Sequence, residues 1–222
     1  MQMEATAITK NKTWTLVSRP PNSNIVSCKW LFTKKCNAHG TPIRFKARLV
    51  ARGFSQIPDI DYHETFSPTL RITSFRLLLA MTAYLNFEVH HVDIETAFLH
   101  GDLEETIYME QPKMMENDKY PDYVCKLNKP LYGLKQSPRQ WYAKLHKFLL
   151  NANFTRLCSE PNLYIRKTKS ELIILLLYVD DLPIAGTFEK EILEVIKELQ
   201  HHFLIKHLGS LEHFLGIHVH KN

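Results

Sequence analysis

The sequence predicts an α+β fold from three patterns: a pair of strand-like runs (residues 29–35 and 43–52) around a turn-forming cluster, helix-period apolar stripes over residues 73–86 and 138–149, and a continuous apolar run (172–177) that ends on two adjacent carboxylates. Hairpins mixed with long helices lack the regular strand–helix repeat of a parallel α/β sheet.

The first 24 residues are polar and turn-rich around Arg19, Pro20 and Pro21, and predict an irregular lead-in with one short helix. Between the first two strands, Asn37, Ala38, His39 and Gly40 predict the turn of a hairpin. With period 2, Arg44, Lys46, Arg48 and Arg52 fall on one face of the second strand, interrupted by Val50, while Phe45, Ala47, Leu49 and Ala51 fall on the other. That is a cationic ridge on an apolar-backed strand. A Pro- and Asp-rich loop (55–71) leads to Thr73 or Ser74 as cap of a helix reaching about Asn86, with Leu77, Leu78, Ala80, Met81 and Tyr84 as its buried stripe. A strand over residues 87–92 runs into Asp93. Ser137 and Pro138 open a second helix with Trp141, Leu145, Phe148 and Leu149 on one face. Strands are predicted over 162–166, 171–178 and 182–185, a helix over 189–201, and a strand-rich segment over 203–220.

With 222 residues, 45% of them apolar, the chain has the composition of a soluble globular protein able to bury a core. Its longest apolar run is far too short to span a bilayer, and Met1, Gln2, Met3 and Glu4 do not begin a signal peptide. No membrane role is expected. Cys28, Cys36, Cys125 and Cys158 form no C-x-x-C pair, which predicts four free thiols in a reducing compartment. Residues 1–52 carry ten Lys/Arg against Glu4 alone, residues 88–118 nine Asp/Glu against Lys113 alone, and residues 119–169 eleven bases against two acids. An acidic segment between basic ones suits either a solvated surface or an enzyme that grips polyanions and collects divalent cations.

The chemistry concentrates at Tyr178, Val179, Asp180 and Asp181. Neighbouring carboxylates repel one another, so a site that keeps both ionised favours a hard cation such as magnesium. Taken alone, the pair is also compatible with a polar hairpin tip. Asp93, at the end of another apolar strand, supplies a further acid, or else caps the turn that follows. His90-His91, His201-His202 and the pair His218 and His220 have no carboxylate or cysteine at matching short spacing, so no zinc site is expected.

At this point the chain resembles the reverse transcriptases of copia-type LTR retrotransposons. The blocks that carry the resemblance are Lys46-Ala47-Arg48-Leu49-Val50-Ala51-Arg52-Gly53-Phe54, Glu64-Thr65-Phe66-Ser67-Pro68, Thr96-Ala97-Phe98-Leu99-His100-Gly101-Asp102-Leu103-Glu104-Glu105, Tyr108-Met109-Glu110-Gln111-Pro112, the segment from Leu131 to Trp141, the turn itself, and Phe214-Leu215-Gly216-Ile217. The resemblance implies a right-hand polymerase: fingers at about 25–86 and 104–135, and a palm at about 87–103 and 136–222 whose antiparallel sheet is backed by helices. Residues 1–24 precede these, and thumb and ribonuclease H are expected to be absent. It implies an RNA template, a DNA primer, deoxynucleoside triphosphates (dNTPs), two Mg2+ ions with Mn2+ as substitute, and the rest of a Pol polyprotein. The expected location is cytoplasmic, in virus-like particles when expressed within a polyprotein, with the nucleus as the alternative.

Residue by residue, the resemblance makes Asp93, Asp180 and Asp181 the catalytic acids and metal ligands, with the Ile94 carbonyl as a backbone ligand. Lys46, Arg48 or Arg52 would hold the triphosphate, or else the ridge is a solvated edge strand protected by its positive charge. Phe98 would exclude a 2′-hydroxyl or else serve as a core aromatic, and Gly133, between Tyr132 and Lys135, would let backbone approach the nucleotide or else simply form a turn. Tyr178, Phe214, Leu215 and Gly216 would meet the primer, or else Phe214 and Leu215 are core residues, and Lys206 would protonate departing pyrophosphate or else be a surface lysine.

Two residues depart from the family pattern. Glu95 stands where lysine is usual and adds repulsion beside Asp93, while Pro183 removes a ladder N–H just past the turn, which is tolerable at an edge or a bulge. A degenerate or domesticated copy that keeps the fold and nucleic-acid binding without catalysis is therefore the alternative, and a two-metal nuclease a third.

Overall fold

The computed structural model describes residues 1–36, 41–167 and 171–220, and the chain divides into two units, Met1–Ser67 with Phe98–Lys144 and Pro68–Ala97 with Leu145–Asn222. The short helix expected in the lead-in is α1 (Gln2–Lys10), with Glu4 in its first turn and Lys10 in its last, as the helix dipole favours. The lead-in also holds an unexpected strand, β1 (Trp14–Val17). Next come β2 (Ile25–Val26) and the antiparallel pair β3 (Cys28–Cys36) and β4 (Pro42–Ala51). The expected turn residues 37–40 lie outside the described residues.

In the second unit, α2 (Ile72–Leu85) has no side-chain cap: the Ser74 hydroxyl instead donates to buried Glu160 at 2.5 Å. The helix ends where Asn86 turns left-handed (φ 51°). Its buried face is Phe75, Leu78 and Thr82. This corrects the expected stripe, because Leu77 and Tyr84 are exposed. Then β5 (Glu88–Ile94) follows, after which the chain returns to the first unit for β6 (Tyr108–Met109) and β7 (Val124–Leu127). There the sheet order is β1-β7-β6-β2, with the β2–β6 contact parallel. The core of this unit gathers Ile8, Val26, Leu49, Ala51, Ile107, Met109 and Leu131. Helix α3 (Ser137–Asn151) begins in the first unit and ends in the second, with Trp141, Leu145 and Leu149 buried as expected.

The rest of the second unit is β8 (Thr155–Arg156), β9 (Leu163–Lys167), β10 (Leu172–Leu176), β11 (Asp181–Gly186), α4 (Glu189–His202), β12 (Ile205–Ser210), and a small hairpin of β13 (His213–Phe214) and β14 (Ile217–His218). Its six-stranded sheet runs β12-β5-β11-β10-β9-β8, and every pairing is antiparallel. On one face α4 packs over β11, β5 and β12 with Ile192, Val195, Ile196 and Leu199 buried. A second apolar cluster joins Phe75, Leu78, Ile174, Leu176, Ala185 and Phe214. No helix among the described residues is long and apolar enough to cross a membrane.

Candidate active site

In the second unit, β10 delivers the chain to a two-residue turn. The Tyr178 N–H donates to the Asp181 carbonyl and the Asp181 N–H to that of Tyr178, both at 2.9 Å, so Val179 and Asp180 form the tip of a closed hairpin. Val179 adopts φ 54°, a conformation that strains a β-branched side chain.

The register of β5 and β11 places Asp181 opposite Asp93. The Ile94 N–H donates to the Asp180 carbonyl at 2.8 Å, which makes residues 94 and 180 a hydrogen-bonded pair. Asp93 and Asp181 are then the adjacent non-hydrogen-bonded pair, the type in which Cα atoms approach to about 4.5 Å and side chains lie closest. On the other flank of β5, Lys206 of β12 stands opposite Asp93. Asp181 Oδ1 lies 2.9 Å from His91 Nε2, and Lys206 Nζ is ion-paired with Glu95. The repulsion expected from Glu95 is thus met by a lysine that register had hidden. Among the described residues, no three His, Cys, Asp or Glu side chains are grouped to hold a metal ion as they stand. Carboxylate oxygens on adjacent strands nevertheless form a hard donor set that suits Mg2+ or Mn2+.

Pro183 occupies neither an edge nor a bulge. It lies in β11, which pairs with β5 through Asp181–Gly186 in unbroken register. Because it follows the Asp93–Asp181 pair by two residues, its nitrogen faces β10. There the ladder runs from Ile173 to Leu175 opposite Gly186 to Ile184 and resumes only at Tyr178 and Asp181. One ladder bond is forgone and the carboxylate register survives. Phe214, expected at a primer, is a core ring here, 2% exposed and 4.5 Å from the Phe75 ring centroid, with Tyr178 edge-on to it at 6.2 Å. Its hairpin instead exposes Leu215 (φ 48°) and Gly216 (φ 79°), the two-residue turn between β13 and β14.

In the first unit, the ridge lies on β4, where Lys46 and Arg48 are half-buried, and ends just past it at exposed Arg52; the Arg44 side chain lies outside the described residues. The strand is apolar-backed only at its inner end, since Leu49 and Ala51 are buried but Phe45 is 78% exposed. Arg48 sets its guanidinium over the Tyr132 ring (5.3 Å), and its Nε is buried without a hydrogen-bond partner. Phe98 packs edge-on to the same ring at 4.7 Å. From α1, Glu4 accepts a hydrogen bond from the Leu49 N–H beside Arg48 and Lys46, and burial raises its pKa.

Gly133 (φ +91°) is fixed by close approach to β4: a Cβ there would stand 2.0 Å from the Ala51 carbonyl oxygen, and one on Gly53 would stand 2.1 Å from that of Gly133. The Ala51 N–H donates to the Tyr132 carbonyl at 2.8 Å. Below this contact lies a buried polar network that the sequence reading missed. Gln56 Oε1 accepts from the Lys135 N–H (2.8 Å), Gln56 Nε2 donates to Gln136 Oε1 (3.0 Å), and Gln136 Nε2 donates to the Asp61 carbonyl (2.7 Å). The Asp61 carboxylate accepts from Asn24 and from the Ile57 N–H. The exposed ammonium of Lys135 rests over Tyr62 at 5.2 Å.

Residues 11–222 match the family described as reverse transcriptase (RNA-dependent DNA polymerase). The chain is 44% identical over 218 residues to the retrovirus-related Pol polyprotein from transposon TNT 1-94 of Nicotiana tabacum, which covers 98% of this chain and 16% of that protein. It is 41% identical over 218 residues to the Pol polyproteins from transposons RE2 and RE1 of Arabidopsis thaliana, again over 98% of this chain and 15% of each. The chain therefore spans less than a fifth of the length of these curated relatives.

Proposed function

Because the chain belongs to the reverse transcriptase family of copia-type transposons, we propose that it is an RNA-directed DNA polymerase domain of a Pol polyprotein, with fingers at about 25–86 and 104–135 and a palm at about 87–103 and 136–222. The observation that carries this reading is the register of Asp93 opposite Asp181, at the end of a strand hairpin whose tip holds Asp180. Asp93, Asp180 and Asp181, with the Ile94 carbonyl, would hold two magnesium ions. Bound there, magnesium supplies positive charge to the phosphate oxygens of a dNTP. The reaction is attack of the primer 3′-hydroxyl on the α-phosphorus, with pyrophosphate leaving.

In the first unit, the partnerless Nε of Arg48 supports this residue, with Lys46 and Arg52 beside it, as the holder of the triphosphate. Phe98 and Tyr132 form the aromatic floor beneath the sugar, and Gly133 and Lys135 border it. Tyr178, Leu215 and Gly216 meet the primer. Lys206, which the resemblance offers as proton donor to pyrophosphate, is ion-paired with Glu95. Hybrid binding rests on phosphate contacts and is salt-sensitive. Expression within a polyprotein would place the domain in cytoplasmic particles.

Primer extension on an RNA template with magnesium tests the reading against Asp180→Asn. Incorporation by the parent chain that the substitution abolishes supports a polymerase. Pro183 in a central strand favours the second reading, a remnant that keeps binding without catalysis. In that case the parent chain shifts a labelled hybrid and incorporates nothing. Strand cleavage in the same assay would identify a nuclease.

A further inference from the structure

We propose that Lys206 is an internal ammonium with two alternative carboxylate partners, Glu95 and Asp93, and that Glu95, by holding it, keeps Asp93 open to a divalent cation. The inference rests on the reading of Asp93 as a metal ligand. Its basis is the strand register. Lys206 is the direct cross-strand neighbour of Asp93, and the Glu95 N–H donates to the Leu204 carbonyl at 2.8 Å, which continues the same alignment by one further pair. Residues 93 and 206 are therefore a hydrogen-bonded pair with side chains on one face, about 5.5 Å apart at Cα. A lysine stem spans that distance easily. In the structure the ammonium is committed to Glu95, and both side chains remain partly exposed, at 43% for Lys206 and 29% for Glu95, so the pair is free to rearrange. His91 stands to Asp181 as Lys206 stands to Glu95: each acid on this face except Asp93 has a described protein partner.

Glu95 and Lys206 are positioning residues in this scheme, since both act here through Asp93 and not on the reacting atoms. Removing the Glu95 charge sends the ammonium to Asp93, where it competes with any cation. Removing both charges restores an open Asp93. A lysine at residue 95, usual in the family, would leave Asp93 as the one partner of this pair open to Lys206.

The test is Mn2+ binding to the full 222-residue chain, followed by the electron paramagnetic resonance signal of free Mn2+, for the parent, Glu95→Gln, Lys206→Gln, the double variant and Asp93→Asn. Asp93→Asn should lose the site. Glu95→Gln should weaken Mn2+ about tenfold, equivalent to about 1.4 kcal/mol. In the Lys206→Gln background the same change should have less than about a third of that effect. A metal-free crystal structure of Glu95→Gln should place Nζ within hydrogen-bonding distance of Asp93. Glu95→Ala repeats the arm with a smaller side chain, and a thermal melt of each variant checks folding. Equal effects of Glu95→Gln in both backgrounds would mean that the two charges act only through their general field, and the proposal falls while the metal reading stands. Unchanged Mn2+ binding in Asp93→Asn would remove the metal reading and the proposal together.

Discussion

The two units place their candidate site residues by different physical means. In the second, strand pairing does the work: one antiparallel sheet sets Asp93, Asp181 and Lys206 side by side through register, and the hairpin tip stores strain at Val179. In the first, the segment from Leu131 to Gln136 belongs to no strand or helix. It is held by glycine-to-backbone contact at Gly53 and Gly133 and by a buried amide network around Gln56, Asp61 and Gln136. Register tolerates side-chain change because the backbone carries the alignment. Close approach does not, because the missing side chain is itself the fit.

The largest expected effect separates these two means directly. Gly133→Ala combines a left-handed φ with a Cβ 2.0 Å from a backbone oxygen, so it should destabilise the protein by about 3–5 kcal/mol. Gly216→Ala, in the second unit, has φ +79° but nothing within 4 Å of the added carbon, and should cost only the conformational term, about 1–2 kcal/mol. Urea denaturation of the two variants measures both. Equal losses would show that conformation rather than contact governs Gly133.

A smaller pair of opposite sign comes next. Gln136→Leu leaves the Asp61 carbonyl and the Gln56 amide with only their own 3.5 Å contact in this buried network, and should cost about 1–3 kcal/mol. Val179→Gly should instead stabilise the protein by about 1 kcal/mol, because an exposed residue at φ 54° sheds strain and little burial. Denaturant midpoints at unchanged slope report both. A loss of stability in Val179→Gly would refute the strained turn.

What could be read from the sequence follows the same division. The run ending at Tyr178, the return strand, α3 and α4 were legible because an apolar run or a helical period is a local signal. The buried face of α2 was not, since Leu77, Leu78, Leu79, Ala80 and Met81 are apolar on all sides and give no phase to choose by. β2, β6 and β8 are two residues long and carry no period. Asp93, Asp180 and Asp181 were legible through motif, and the cationic ridge through alternation, but the neutralisation of Glu95 depends on a pairing between strands far apart in sequence. Gln56, Asp61 and Gln136 are polar residues in loops, where solvated and buried amides look alike until the fold closes over them.

The smallest effect sets the two units against each other in pH. In the second, His90 sits between His207, whose Nε2 is 2.8 Å from its Nδ1, and Glu189, with Glu88 nearby. Burial and then His207 lower its pKa from the usual 6.5, outweighing both acids. Neutral His90 is what the fold accommodates, so its contribution is complete above that value and is lost as pH falls through it toward the depressed folded value. In the first unit, burial raises the pKa of Glu4 from 4.5 despite the Leu49 N–H and the charges of Arg48 and Lys46. Its contribution is present below 4.5 and is lost as pH rises through the raised value. Mild acidification should therefore speed amide exchange in β5 and β12 and slow it in α1, each by a few-fold after correction for intrinsic rates. Replacing His90 with Asn should flatten the response of β5 and β12 and leave α1 unchanged. Exchange that moves in the same direction in both units would show that a global change of stability, rather than these two titrating groups, sets the pH dependence.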